Sequence, residues 1–214
     1  MGCIRGCGLI LFMVLISFSS PLDKAIELFE TEYKAYSYTM KVNHDGEEGA
    51  DMVLRYHYLS PGFVRMEMVK PFRGVVLTYD PEKGKAYLRP FPRLKSFVLE
   101  LDPGSRLIRG PSDHRVDESD ILTLLYTVRD LLKKGDLEVE EDKDMIILKV
   151  RGKEGHRVRR RIAGFLLKLA KETLFPLYAA SFDEEGDLIE EVMFEDPVLN
   201  PDLDPGFFRL RTSP

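Results

Sequence analysis

The strongest patterns in the chain are periodic. From Pro21 to Tyr36 the apolar residues Leu22, Ile26, Phe29, Tyr33 and Tyr36 recur at spacings of four, three, four and three, which sets them on one stripe of an α-helix. Ser20 and Asp23 make a capping-box-like pair, and Pro21 takes the first helical position, where its missing N–H goes unnoticed. Beyond Tyr36 the period falls to two. Tyr38, Met40 and Val42 alternate with polar neighbours, as do Met52, Leu54, Tyr56 and Tyr58, then Val64, Met66 and Met68. Each set predicts a strand with one apolar face. Asn43 to Gly49 supplies a polar turn, and Ser60-Pro61-Gly62 reads as a type II turn with Gly at the left-handed position. Further strands are expected at Val75 to Tyr79, Lys85 to Arg89 and Lys95 to Leu101, with a turn at Pro81-Glu82-Lys83-Gly84 and a stop at Asp102-Pro103-Gly104. The connections are short, so successive strands pair antiparallel, as a meander.

A second helix is predicted from Glu118 to Lys134. Asp117 caps it, and Ile121, Leu124, Leu125, Val128, Leu131 and Leu132 form a broad apolar stripe. Lys133 and Lys134 meet the negative end of its dipole, and Gly135 follows as a left-handed cap. Strands then come at Leu137 to Glu141, Met145 to Arg151 and Ile162 to Leu169. A closing hairpin, Leu177 to Asp183 and Leu188 to Phe194, turns at Glu184-Glu185-Gly186. About eleven strands and two helices, segregated rather than alternating, make an α+β chain with one large curved antiparallel sheet.

Ahead of the first helix, Arg5 precedes an apolar run of eleven residues from Gly8 to Phe18, with the small residues Ser17, Ser19 and Ser20 at its end. This is the layout of a secretory signal peptide. Eleven helical residues reach roughly 16 Å, about half the hydrocarbon core of a bilayer, which argues against an uncleaved anchor. Cleavage after Ser19 uses Ser17 and Ser19 as the small residues, whereas a cut after Ser20 would leave Pro21 at the new terminus. The expected division is a leader over 1–19 and a single domain over 20–214, with the mature protein in the periplasm. Cys3 and Cys7 both precede the apolar run and leave with the leader, so neither is placed to carry a lipoprotein's lipid. The mature chain then has no thiol for a disulfide or a metal, and a packed core must hold it together. Met1-Gly2 matches the start of a myristoylation signal, but Gly6 stands where Ser or Thr is required.

Net charge is −5, with both signs spread along the chain, which argues against a nucleic-acid partner. The chemistry-bearing residues are few. No G-x-S-x-G elbow, P-loop or dinucleotide fingerprint occurs, so no cofactor is expected. Ser112, Asp113 and His114 are consecutive, and consecutive residues rarely converge on one reacting atom. Asp113, His114, Asp117, Glu118 and Asp120 are the densest set of metal-ligand types, yet acidic residues at a helix start are already favoured by capping and the dipole. His44, His57 and His156 form no zinc pattern. Lys153, His156, Arg157, Arg159, Arg160 and Arg161 form a basic cluster. It reads either as a patch for anionic headgroups or an acidic partner, or as a solvated loop near the acidic run Glu138 to Asp144; the solvated loop is preferred.

The amphipathic helix, the meander with Arg65-Met66-Glu67-Met68-Val69-Lys70-Pro71 in its third strand, and the closing segment together resemble the LolA-like family of periplasmic lipoprotein carriers. In the closing segment the likeness lies in Phe175-Pro176-Leu177, Asp183-Glu184-Glu185-Gly186-Asp187, Phe194-Glu195-Asp196 and Asn200-Pro201 to Phe207-Phe208. The resemblance implies an incomplete barrel around helices, with an apolar cavity that takes up acyl chains of lipoproteins or other lipids. It also implies inner- and outer-membrane partners for loading and acceptance. The ligand-binding residues expected on this basis are Phe29, Tyr38, Met40, Leu54, Tyr56, Met66, Met68, Leu124 and Val128. Methionine suits such a cavity because its side chain is flexible and polarizable. One position departs from the family: the arginine often found just before the Pro of the second hairpin is Ser60 here, which weakens the handover role and strengthens a different lipid cargo or a sensor role. Three functions are thus weighed: a lipid or lipoprotein carrier that is not an enzyme, a lipid-responsive interaction module of the envelope, and, third, a hydrolase at Ser112 to His114.

Overall fold

The computed structural model describes residues 19–44, 51–109, 114–159 and 161–210. All but Ser19 of the expected leader, most of the Asn43 to Gly49 turn, and Ser112 and Asp113 lie outside the described residues. Helix α1 (Pro21–Thr31) begins as the sequence predicts: Ser20 Oγ accepts the Asp23 N–H at 3.2 Å and donates to Asp23 Oδ2 at 2.7 Å. It ends earlier than expected, and Tyr36 belongs to strand β1 (Ala35–His44). The Tyr36 ring still meets Phe29, at 5.6 Å between centroids, so part of the apparent helical stripe is assembled across a turn.

Strands β2 (Met52–Leu59), β3 (Phe63–Lys70), β4 (Val76–Asp80), β5 (Lys85–Arg89) and β6 (Leu99–Leu101) continue the first meander. After helix α2 (Ile121–Leu132), a second meander runs through β7 (Gly135–Glu141), β8 (Met145–Gly152), β9 (Gly164–Ala170), β10 (Pro176–Phe182) and β11 (Leu188–Leu199). The eleven strands form one sheet in the order β6-β5-β4-β3-β2-β1-β11-β10-β9-β8-β7, antiparallel throughout. The β1–β11 pair joins the two meanders, and β6 and β7 remain as edges, so the sheet curves without closing. Both helices pack on the apolar side, where Leu22, Leu125, Leu148, Leu167 and Phe175 are fully buried. This is the α+β chain with one large curved antiparallel sheet that the alternating patterns predict, and its open edges match the incomplete barrel that the resemblance implied. On the opposite face the segment after β11 straps the sheet: Phe208 is buried beside Phe63, and Arg65 donates to the Phe207 carbonyl at 2.7 Å.

Several local expectations are corrected. Helix α2 begins three residues late because Arg115 takes the Asp117 carboxylate, at 2.6 and 3.0 Å, while Asp120 caps the helix by accepting the Thr123 N–H at 3.0 Å. Gly135 is no left-handed cap. It opens β7, and a Cβ there would lie 2.6 Å from the Arg151 carbonyl oxygen, so the close approach of β8 is what requires glycine. Ser60-Pro61 is a cis peptide and Gly62 has φ 149°, so this turn is not type II. Only Leu99 to Leu101 of the expected Lys95 strand pairs with β5; the residues before it fold into successive turns, with Leu94 N–H to Phe91 O and Phe97 N–H to Leu94 O.

Candidate ligand cavity

Cross-strand register assembles an apolar floor. One row runs Phe194, Met40, Leu54, Met68 across β11, β1, β2 and β3; the next runs Tyr38, Tyr56, Met66, Leu77, Leu88 from β1 to β5. Above these rows lie α2, residues Leu107 to Arg109 and residues His114 to Asp120. Between floor and roof is a cavity of about 600 Å³, a size that suits a small-molecule ligand.

Six of the nine residues expected to bind ligand line this cavity: Tyr38, Met40, Leu54, Met66, Met68 and Leu124. The other three lie in the packed core. Phe29 sits on α1 against Tyr33, Tyr36 and Phe175, with centroids 5.0, 5.6 and 5.7 Å away. Tyr56 stacks on Tyr38 at 4.9 Å, and its hydroxyl meets Ser119 Oγ at 3.1 Å, so the turn before α2 covers it. Val128 is fully buried on the stripe Ile121, Leu125, Val128 and Leu131. The helix shows the cavity Ile121, Leu124 and Thr127, a spacing of three, where the sequence suggested the four-residue step from Leu124 to Val128.

Cavity residues that the sequence reading passed over include Val42, Met52, Phe165, Val192 and Phe194. The first two lie on alternations already recognised. The last three come from the far end of the chain, and only the β1–β11 pairing brings them in.

One side of the cavity is polar and carries charges of both signs. Arg159 donates to His114 Nδ1 at 3.0 Å and lies 3.7 Å from Glu118; His114 Nε2 faces Glu190 at 3.3 Å. Because arginine can only donate, Nδ1 must accept, which leaves the imidazole proton on Nε2 toward Glu190. Arg115 is held by Asp117. In the basic cluster, of which Arg160 lies outside the described residues, Lys153 pairs with Asp136 and Arg157 with Glu184, whereas the acidic run instead meets Lys149 and Lys171. Deeper in, Tyr36 accepts the Ile121 N–H at 3.0 Å. Burial pushes Tyr36, Tyr38 and Tyr56 well above the usual phenol range, with Asp120 adding to the effect, and burial pushes Tyr58 up to about 12. Of these four phenols Tyr38 lines the cavity, and its neutral ring joins the apolar wall. No metal-binding group of three or more His, Cys, Asp or Glu exists among the described residues, and no described helix is long and apolar enough to cross a membrane.

No protein-family model matches the chain, and no curated protein matches it in sequence. Solved structures match in shape. An uncharacterized conserved protein from Thermus thermophilus superposes with a TM-score of 0.51 at 13% identity, over 87% of this chain and 90% of that one. The Pseudomonas aeruginosa MucA/MucB complex matches with a TM-score of 0.52 at 15% identity, over 89% of this chain and 61% of that one. The likeness to these two structures is one of fold. An unclosed antiparallel sheet wraps two helices and leaves an apolar space between, as the resemblance implied. A LolA superfamily protein, NE2245 from Nitrosomonas europaea, matches more loosely, with a TM-score of 0.36 at 16% identity over 88% of this chain and 96% of that one.

Proposed function

We propose that this protein is an exported carrier that binds the acyl chain of a lipoprotein or free lipid under its half-barrel and moves it between envelope membranes. The observation that carries the reading is the cavity of about 600 Å³ walled by Met40, Leu54, Met66, Met68 and Leu124. Apolar transfer drives uptake, at about 0.8 kcal/mol for each methylene buried. No bond need form or break, so the whole mechanism is reversible burial, with release made favourable by an acceptor. The apolar run Gly8 to Phe18 supports export to the periplasm as one domain freed of its leader.

A second reading is a lipid-responsive interaction module. The likeness to MucB, solved together with MucA, favours it, although this chain spans only 61% of that protein. Delipidated protein titrated with a fluorescent fatty acid tests the shared premise. Saturable, stoichiometric uptake is expected; failure to take up the probe would remove both readings. A stable complex with another envelope protein, formed or lost as lipid binds, would select the module over the carrier.

A further inference from the structure

The loops β3–β4 and β5–β6 put large apolar side chains into solvent: Phe72 is 67% exposed, Leu94 56%, Phe91 52% and Phe97 44%. Both loops leave the same end of the sheet, because Val76 at the start of β4 pairs with Arg89 at the end of β5. They also touch. Gly74, at φ +86°, lies so close to Pro92 that a Cβ would come within 2.6 Å of Pro92 Cγ. The Phe91 and Phe97 rings meet at 5.6 Å, and the backbone bonds from Leu94 to Phe91 and from Phe97 to Leu94 fix the second loop. The apolar tips are thus held outward on a folded platform. Phe72 also lines the cavity, so the platform is continuous with its mouth.

Charge is segregated within these two loops. Residues 70–75 and 90–98 contain Lys70, Arg73, Arg93 and Lys95 and no acidic residue, in a chain whose net charge is −5. Projecting aromatic and leucine tips interleaved with cations match the boundary between acyl chains and anionic headgroups.

We propose that this platform docks the cavity mouth on an anionic phospholipid bilayer, with Phe72, Phe91, Leu94 and Phe97 entering the interface and Arg73, Arg93 and Lys95 meeting the phosphates. The surface stands on its own residues, whatever the cavity holds.

Flotation of the purified protein with vesicles tests it, using equimolar phosphatidylglycerol and phosphatidylcholine against phosphatidylcholine alone. Binding is expected only with the anionic vesicles and should weaken at high salt. Each cation removed should cost about five-fold in affinity, so R73Q/R93Q/K95Q should lose roughly a hundred-fold. F91S/L94S, which changes exposed residues outside the cavity wall, should also lose flotation while both variants keep the native circular dichroism spectrum. No flotation, equal flotation with neutral vesicles, or unchanged binding by the variants would overturn the proposal, and an acidic protein segment would then be the better partner. Fatty-acid uptake from solution needs no bilayer, so it reports the cavity's failure separately from the platform's.

Discussion

Leu124 stands on α2 and faces the cavity, so a tryptophan there takes space from the ligand rather than from the core. A methylene fills about as much space as a liquid water molecule, roughly 30 Å³. A cavity of about 600 Å³ therefore admits roughly twenty methylenes, enough for one long acyl chain. Each methylene buried contributes about 0.8 kcal/mol, close to a four-fold change in Kd. Wild-type affinity for straight-chain fatty acids should rise about four-fold per methylene until the space is full, then level off. In Leu124→Trp the larger ring displaces roughly two methylenes. The plateau should come about two methylenes earlier, and the longest chains should lose about 1.6 kcal/mol, or roughly fifteen-fold in Kd. Chains too short to reach α2 should bind as before. Displacement of a fluorescent fatty acid by a chain-length series, run on both proteins, gives these constants directly. Equal weakening at every length, or a Kd indifferent to length, would refute the assignment of this cavity as the acyl site.

Asp120→Ala removes the cap that accepts Thr123 N–H and Oγ1–H, and should cost about 1 kcal/mol, or about 2–4 °C in thermal melting. His57 has a buried Nδ1 without a hydrogen-bond partner, and burial lowers its pKa from 6.5, with Arg65 and Arg55 acting in the same direction against Glu67. The unfolded chain then binds that proton more readily, so stability should decline as pH falls through about 6.5 and level off below the folded-state pKa. Urea titrations across pH should show this decline, and His57→Gln should flatten it. The buried phenols of Tyr36, Tyr38 and Tyr56 work at the other end: their pKa values lie well above 10.0, so the native state keeps protons that the unfolded chain releases. Stability should fall as pH rises past 10.0, and tyrosinate absorbance from this cluster should appear only with loss of the far-ultraviolet dichroism.

The first meander was legible because a half-buried antiparallel strand writes its burial as alternation, and Tyr38 to Val42, Leu54 to Tyr58 and Val64 to Met68 follow that rule. Helix boundaries were less legible. Asp117 and Asp120 are equally good caps in sequence, and only the position of Arg115 decides between them. The cavity floor on β1 to β3 followed from the strand pattern once one face was chosen. Its remainder did not, since nothing local in Phe165, Val192 or Phe194 announces that β11 returns beside β1. Phe29, Tyr56 and Val128 show the converse: core and cavity residues obey the same periodicity, and what separates them is whether an aromatic neighbour or a helix turn covers them.

The most direct test of the central claim is the lipid itself. The protein should be purified from its native envelope under mild conditions and extracted with organic solvent, and the extract analysed by mass spectrometry. A stoichiometric acyl-bearing species is the predicted result, and its mass would name the cargo. Protein that is reproducibly empty, and that also fails to take up a fluorescent fatty acid, would contradict the account.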